Sequence, residues 1–131
     1  MRFARSLLLV ISLAPCPLTG VAAPQSEAYY GTPVVLEGLL QEAEGYSVEE
    51  GRVPYPALRL TEPLSIAAEP GHPHNVAERR IYMVQLEMPD SLPARVIALQ
   101  RRHTRINCDL FHAYDLRHQS DVVCKVLELD A

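Results

Sequence analysis

The sequence predicts a mainly β protein: a small five-stranded OB-like barrel with one short helix between its third and fourth strands, after an N-terminal signal peptide. Three observations predict it. Stretches with apolar period two occur at Thr32–Glu44, Val53–Ala67 and Arg80–Met88. One stretch alone, Pro89 to Arg102, spaces its apolar residues for a helix. Two further apolar runs, Ile106–Phe111 and Val122–Leu127, flank a polar turn, and each carries one cysteine. Strand, strand, strand, helix, strand, strand is the order of an OB-type barrel.

The N-terminus reads as an export signal. Arg2 and Arg5 precede an apolar run, Ser6 to Ala14, too short to span a bilayer, and small residues follow at Gly20 to Ala23. Cleavage after Ala23 fits the small-residue pattern at Val21 and Ala23. Pro24 disfavours it, so Ala22 and Ala28 stand as alternatives. Leu13-Ala14-Pro15-Cys16 has the outline of a lipobox, but Pro15 stands where Gly, Ala or Ser is required. Cys16 is therefore expected to leave with the signal. The expected organisation is a signal peptide over 1–23, a flexible leader over 24–31 and one barrel domain over 32–131. No other apolar stretch approaches membrane-spanning length.

In the first strand, Val34, Leu36, Gly38 and Leu40 share one side. Gly38 marks a bulge or sharp bend, as a strand serving both halves of a small barrel needs. Glu42 to Arg52 is acidic, holds Gly45 and Gly51, and reads as a loop. The second strand puts Leu58, Leu60, Leu64 and Ile66 on one face, while Pro54, Pro56 and Pro63 confine it to an edge or interrupt it. Glu69 to Asn75 connects it to a third strand with Tyr82, Val84, Leu86 and Met88 on one face, while Ile81 and Met83 make its opening two-sided, as in a strand buried on both sides. Ser91 could cap the helix and Pro93 suits its first turn. The Val96–Ile97 pair leaves a strand as the alternative there.

The last two runs form a hairpin. An even count of two cysteines in an exported chain favours a Cys108–Cys124 disulfide. Placing them opposite one another centres the turn at Leu116, sets Leu110 against Val122 and Phe111 against Asp121, and leaves an exposed tip holding His112, Tyr114, Asp115 and His118.

Charge narrows the function. The chain holds 12 basic and 16 acidic residues, net −4, and loss of the two arginines of the signal takes this to −6. An acidic exported domain lacks the Lys/Arg clusters that phosphate backbones require, so nucleic acid is not an expected partner. Arg95, Arg101, Arg102 and Arg105 are the one basic concentration, with Arg95 and Arg102 on one helix face and able to meet the acids of Glu42 to Glu50 or an anionic partner. His112 and His118 with Asp115 and Asp121 are weak metal candidates, since no third His or Cys completes a recognised spacing. His72-Pro73-His74 holds its side chains apart. No Gly-x-Ser-x-Gly and no phosphate-cradling glycine loop is present, and Ser120 next to His118 and Asp121 lies along a strand whose neighbours point to opposite faces. No cofactor is implied.

Three segments carry a family resemblance: Val34-Val35-Leu36-Glu37-Gly38-Leu39; Leu58-Arg59-Leu60-Thr61-Glu62-Pro63-Leu64; and Leu110-Phe111-His112-Ala113 followed by His118-Gln119-Ser120-Asp121-Val122. Together they resemble the bacterial family called domain of unknown function 4431, small exported domains whose terminal turn is rich in histidine. Asp109 stands where that family usually has Gly, and Gln119 follows His118 where adjacent histidines are frequent. The resemblance implies no established activity. It is similar in plan to periplasmic OB-like modules that bind ligands or proteins. The expected function is a non-catalytic binding module recognising a protein or small ligand in the bacterial envelope, in the manner of an inhibitor or immunity protein. Its contact surfaces would be the barrel face and the loops at Glu42–Arg52, with Glu49 and Glu50, and at Ala113–Gln119. The alternative is a small periplasmic hydrolase or metal-binding stress protein using the His112/His118 tip.

Overall fold

A computed structural model describes residues 27–90 and 93–130, with only the backbone described at Pro93, Ala94 and Asp130. The signal peptide, Cys16, the Ala22 and Ala23 cleavage sites and the Ser91 cap fall outside the described residues. The elements are β1 (Glu27–Tyr29), β2 (Val34–Ser47), β3 (Gly51–Ala67), β4 (Glu78–Glu87), α1 (Pro93–Ala98), β5 (His103–His112) and β6 (Val122–Asp130). β2 pairs antiparallel with β3 and with β5, β3 with β4, and β5 with β6. β4 then closes the barrel on β6 in parallel. This is the OB-type barrel the alternation pattern predicts, with α1 in the expected place. β1 is an addition, lying parallel on β3 at Ser65–Ala67.

Leu36, Leu40, Leu58, Val84, Ile106 and Val126 fill the barrel, and Val96 and Leu99 are buried in the same core. Gly38 makes closure feasible. It is the residue where β2 changes partner, opposite Thr104 of β5 on one side and Leu60 of β3 on the other. A Cβ at this point would overlap the carbonyl of Arg59. The bend brings backbone against backbone, and only glycine leaves room for it.

Several elements differ from expectation. Glu27–Tyr29 lies within the expected leader, yet it is a strand, and Ala28 and Tyr30 are buried. The acidic stretch Glu42–Arg52 is mostly ladder, paired from Glu42↔Pro56 to Ser47↔Gly51, with only Val48–Glu50 as the turn. Pairing with a partner strand overrode its loop-like composition. Pro54 and Pro56 are tolerated because β4 pairs with β3 only from Ala57 onward, so their missing N–H groups fall on a free edge. Pro63 falls in the irregular stretch between Arg59 and Leu64. Opposite that irregularity β4 changes its inward parity. Ile81 packs on the core while Tyr82, expected inside, is exposed. Arg80 has a φ of 55° at the start of this switch.

The terminal hairpin forms, and Cys108 is bonded to Cys124. Its register differs from the symmetrical one. Cys108 pairs with Val126, Leu110 with Cys124 and Phe111 with Val123, after a shift between Asn107 and Cys108. The disulfide is therefore diagonal, joining neighbours two residues out of register, with the Cα atoms 5.2 Å apart. Both cysteines are fully buried. Among the described residues no helix is long and apolar enough to cross a membrane.

Two predictions follow from these contacts. Gly38→Ala should lower unfolding free energy by about 3 kcal/mol, read from urea midpoints. Unfolded, unreduced protein lacking residues 1–23 should show no free thiol, and replacing both remaining cysteines by Ala should cost about 3 kcal/mol.

Candidate functional site

The β2–β3 hairpin outruns the barrel. β5 leaves β2 after Leu39, and β4 leaves β3 at Ala57, so residues 41–56 form a two-stranded arm. Gly51, at φ 76°, ends its turn. On one face of the arm Ala43, Tyr55 and Ala57 are buried with Met83 packed against them, a small second core outside the barrel. Burial raises the Tyr55 phenol above its ordinary pKa. At the arm's end Tyr46 is 72% and Val48 93% exposed.

The β5–β6 loop is built around His118. Its side chain is 3% exposed. The imidazole meets the rings of Phe111 and Tyr114 edge-on, at centroid distances of 5.2 and 4.7 Å. Its Nδ1 accepts from the backbone N–H groups of Tyr114 and Asp115 at 3.3 and 3.4 Å. An accepting Nδ1 places the ring proton on Nε2, which faces Glu87 at 3.6 Å. Asp115 takes the N–H of Arg117 at 2.8 Å and its guanidinium at 2.8 Å. The hydrogen bond from that guanidinium is the main reason the Asp115 carboxyl sits below its usual range. The histidine thus acts as the loop's internal post, while Tyr114 and Leu116 stay 62% and 95% exposed.

Two glutamines hold this loop in place. Gln85 of β4 donates to the Arg117 carbonyl at 3.1 Å and accepts the Gln119 N–H at 2.6 Å. The Ser120 hydroxyl accepts the Gln85 N–H and donates to the Val122 carbonyl, so it is committed to structure. The Gln119 side chain then reaches the other hairpin. Its Oε1 accepts the Tyr46 N–H at 3.0 Å and its Nε2 donates to the Leu116 carbonyl at 3.2 Å. Gly45 lies beneath it, where a Cβ would overlap the glutamine side chain. One side-chain amide therefore ties the arm to the β5–β6 loop. Tyr46, Val48, Tyr114 and Leu116 are presented from two joined tips.

Charge at the tips is lopsided. Arg52 is engaged by Glu44 at 3.7 Å and Arg117 by Asp115. Glu49 and Glu50 are exposed and have no ion-pair partner among the described residues. Among the described residues, none of the basic residues expected to meet this acidic stretch is ion-paired with it. α1 ends at Ala98, so Arg95 and Arg102 share no helix face. Arg101 and Arg102 exchange backbone hydrogen bonds with Leu40, and Arg105 pairs with Glu37 at 3.3 Å.

His112 and His118 enter separate networks. His112 Nε2 lies 2.9 Å from Glu78, its Nδ1 3.1 Å from the Ala113 carbonyl, and its N–H donates to Asn75. Asn75 in turn donates to Glu69, and the Tyr30 hydroxyl donates to the Val76 carbonyl at 2.7 Å. His112 and Tyr30 thereby pin the β3–β4 loop to the barrel. His72 of that loop faces Glu69 at 3.7 Å. Among the described residues, no group of three or more His, Cys, Asp or Glu could hold a metal. Of the expected site residues, Glu49, Glu50, Tyr114 and Asp115 stand at the joined tips. His118 supports them from inside instead of facing solvent, and His112 belongs to the neighbouring loop. Tyr46 and Val48 were legible as apolar residues inside an acidic stretch. Gln85 and Gln119 carried no sequence signal.

No family model matches the chain, and no curated protein or solved structure matches it.

Burial, then the charges of Glu78 and Asp121, pushes the Tyr30 phenol up to about 12 from 10.0. A raised folded pKa contributes stability that is intact below pH 10 and is lost as pH rises toward 12. Urea midpoints measured across that window should fall, and Tyr30→Phe should flatten the fall while costing about 1 kcal/mol at neutral pH.

Proposed function

We propose that this chain is an exported, non-catalytic binding module whose contact surface is the joined pair of hairpin tips. The observation that carries the reading is the Gln119 amide, bonded to Tyr46 on one side and Leu116 on the other. It makes one surface of two loops before any partner arrives, which lowers the ordering cost of binding. Tyr46 and Tyr114 are large amphipathic anchors, with Tyr114 backed by two packed rings. The uncompensated Glu49 and Glu50 favour a partner whose apolar pocket has a basic rim.

This reading retains the expected inhibitor-like role and the likeness to domain of unknown function 4431. Export supports it through the disulfide, which persists in oxidising compartments. Cleavage after Ala22 or Ala23 leaves β1 intact, whereas cleavage after Ala28 removes most of a strand paired to β3. The alternative hydrolase or metal site at His112 and His118 draws no support from their separate networks.

Residues 24–131, immobilised against envelope extract, should capture a stoichiometric partner. Tyr46→Ala with Tyr114→Ala should weaken that complex about 100-fold, and Gln119→Ala should slow association. Equal capture by the double variant would remove the tips from the reading. A catalytic turnover abolished by His118→Ala and spared by Tyr46→Ala would replace binding with enzymatic activity.

A further inference from the structure

A second surface lies on the opposite half of β2. The β2–β3 ladder ends at Gly38↔Leu60. One step further, Glu37 and Thr61 would exchange backbone hydrogen bonds if the strands stayed together. Instead β2 remains with β5, and β3 continues to Ser65, where β1 joins it. A groove of about 570 Å³ opens between them, lined by Pro33, Val35 and Glu37 on one bank and Thr61, Glu62 and Leu64 on the other.

Backbone alternation says what faces this groove. Leu40 exchanges hydrogen bonds with Arg101 and Arg102 on the β5 side, so the even-numbered residues of β2 point that way. The N–H and C=O groups of Val35 and Glu37 therefore point into the groove. One end is closed by His103, whose Nε2 lies 3.0 Å from the Thr61 hydroxyl and whose Nδ1 lies 3.5 Å from Glu37. Beyond the other end, β1 is already a strand added to this same edge of β3. Val35 is 63% exposed, and Glu62 is exposed without an ion-pair partner among the described residues.

We propose that this seam takes an extended segment of a partner polypeptide by strand addition. The segment pairs its backbone with Val35 and Glu37 and sets a lysine or arginine beside Glu62. An unpaired strand edge is a template for such pairing, and side chains beside it supply the selectivity. β1 shows that the edge of β3 accepts a short parallel strand. The surface is distinct from the joined tips and does not depend on their role.

The test follows amide exchange by NMR in residues 24–131, which contain every described strand. The probe is an end-blocked hexapeptide of alternating valine and lysine, at about 1 mM. The same peptide with N-methylated backbone serves as control. The probe should slow exchange of the Val35 and Glu37 amides about tenfold, and the methylated peptide should not. Val35→Pro removes a groove-facing donor without touching the β5 ladder, and should abolish the effect. If that variant fails to fold, the methylated control decides alone. No slowing, or equal slowing by both peptides, overturns the proposal. So does protection of both amides already present in dilute protein without the probe. Protection that rises with protein concentration alone would assign the edge to a second copy and also overturn it.

Discussion

The barrel depends on a close approach at Gly38. A sheet of five short strands closes only if one strand serves two neighbours that diverge, and β2 does so, with β5 along its first half and β3 along its second. The change of partner forces the β2 backbone onto the carbonyl of Arg59. With that contact made, Leu36 and Leu40 both point inward from either side of the bend, and the same core contains Ile106 from β5 and Leu58 from β3. Every later feature inherits this geometry, because the two halves of β2 end in different places.

Outside the barrel, order is held by polar contacts. The arm has too little apolar surface to be fixed by packing alone: Ala43, Tyr55 and Ala57 with Met83 are its whole core. Gln85 and Gln119 supply the rest, each using amide oxygen and nitrogen at once. His118 does similar work inside its loop, accepting two backbone N–H groups while packed between rings. Partly buried amides and imidazole are suited to this. They satisfy main-chain groups that loops leave open, without the desolvation cost of a buried ion.

What could be read from the residues, and what could not, divides along the same line. Alternation along β2 to β6 exposed the strand order, because burying one face of a strand writes period two into its sequence. Gly38 was legible for the same reason, as a residue without a side chain in the middle of an apolar face. The disulfide was legible from its count, but its diagonal register was not, since it is set where the 113–121 loop closes, at His112↔Val122. Tyr82 misled because the irregular stretch around Pro63 belongs to a different strand. At the tips, Tyr114 and Glu49 announced themselves by chemistry and position. His118 pointed toward metal or catalysis, and only packing shows that it is a post. Gln119 is silent in sequence because its partners, Tyr46 and Leu116, are brought to it by the fold.

The two surfaces of β2 are consequences of one bend. Past Gly38 toward its C-terminus, the strand leaves β5 and carries the arm beyond the barrel, where Tyr46 is tied to the second hairpin. Before Gly38, it leaves β3 and exposes the groove-facing ladder groups of Val35 and Glu37. A straighter β2 would lose both: the arm would stay within the sheet, and the seam would close as an ordinary ladder. Small barrels have little surface to spare, and closure through a single bent strand leaves unpaired edges at both of its ends. In this chain one edge is capped by a glutamine amide and by two prolines across the ribbon. The other is bounded by His103 and β1, with open groove between them.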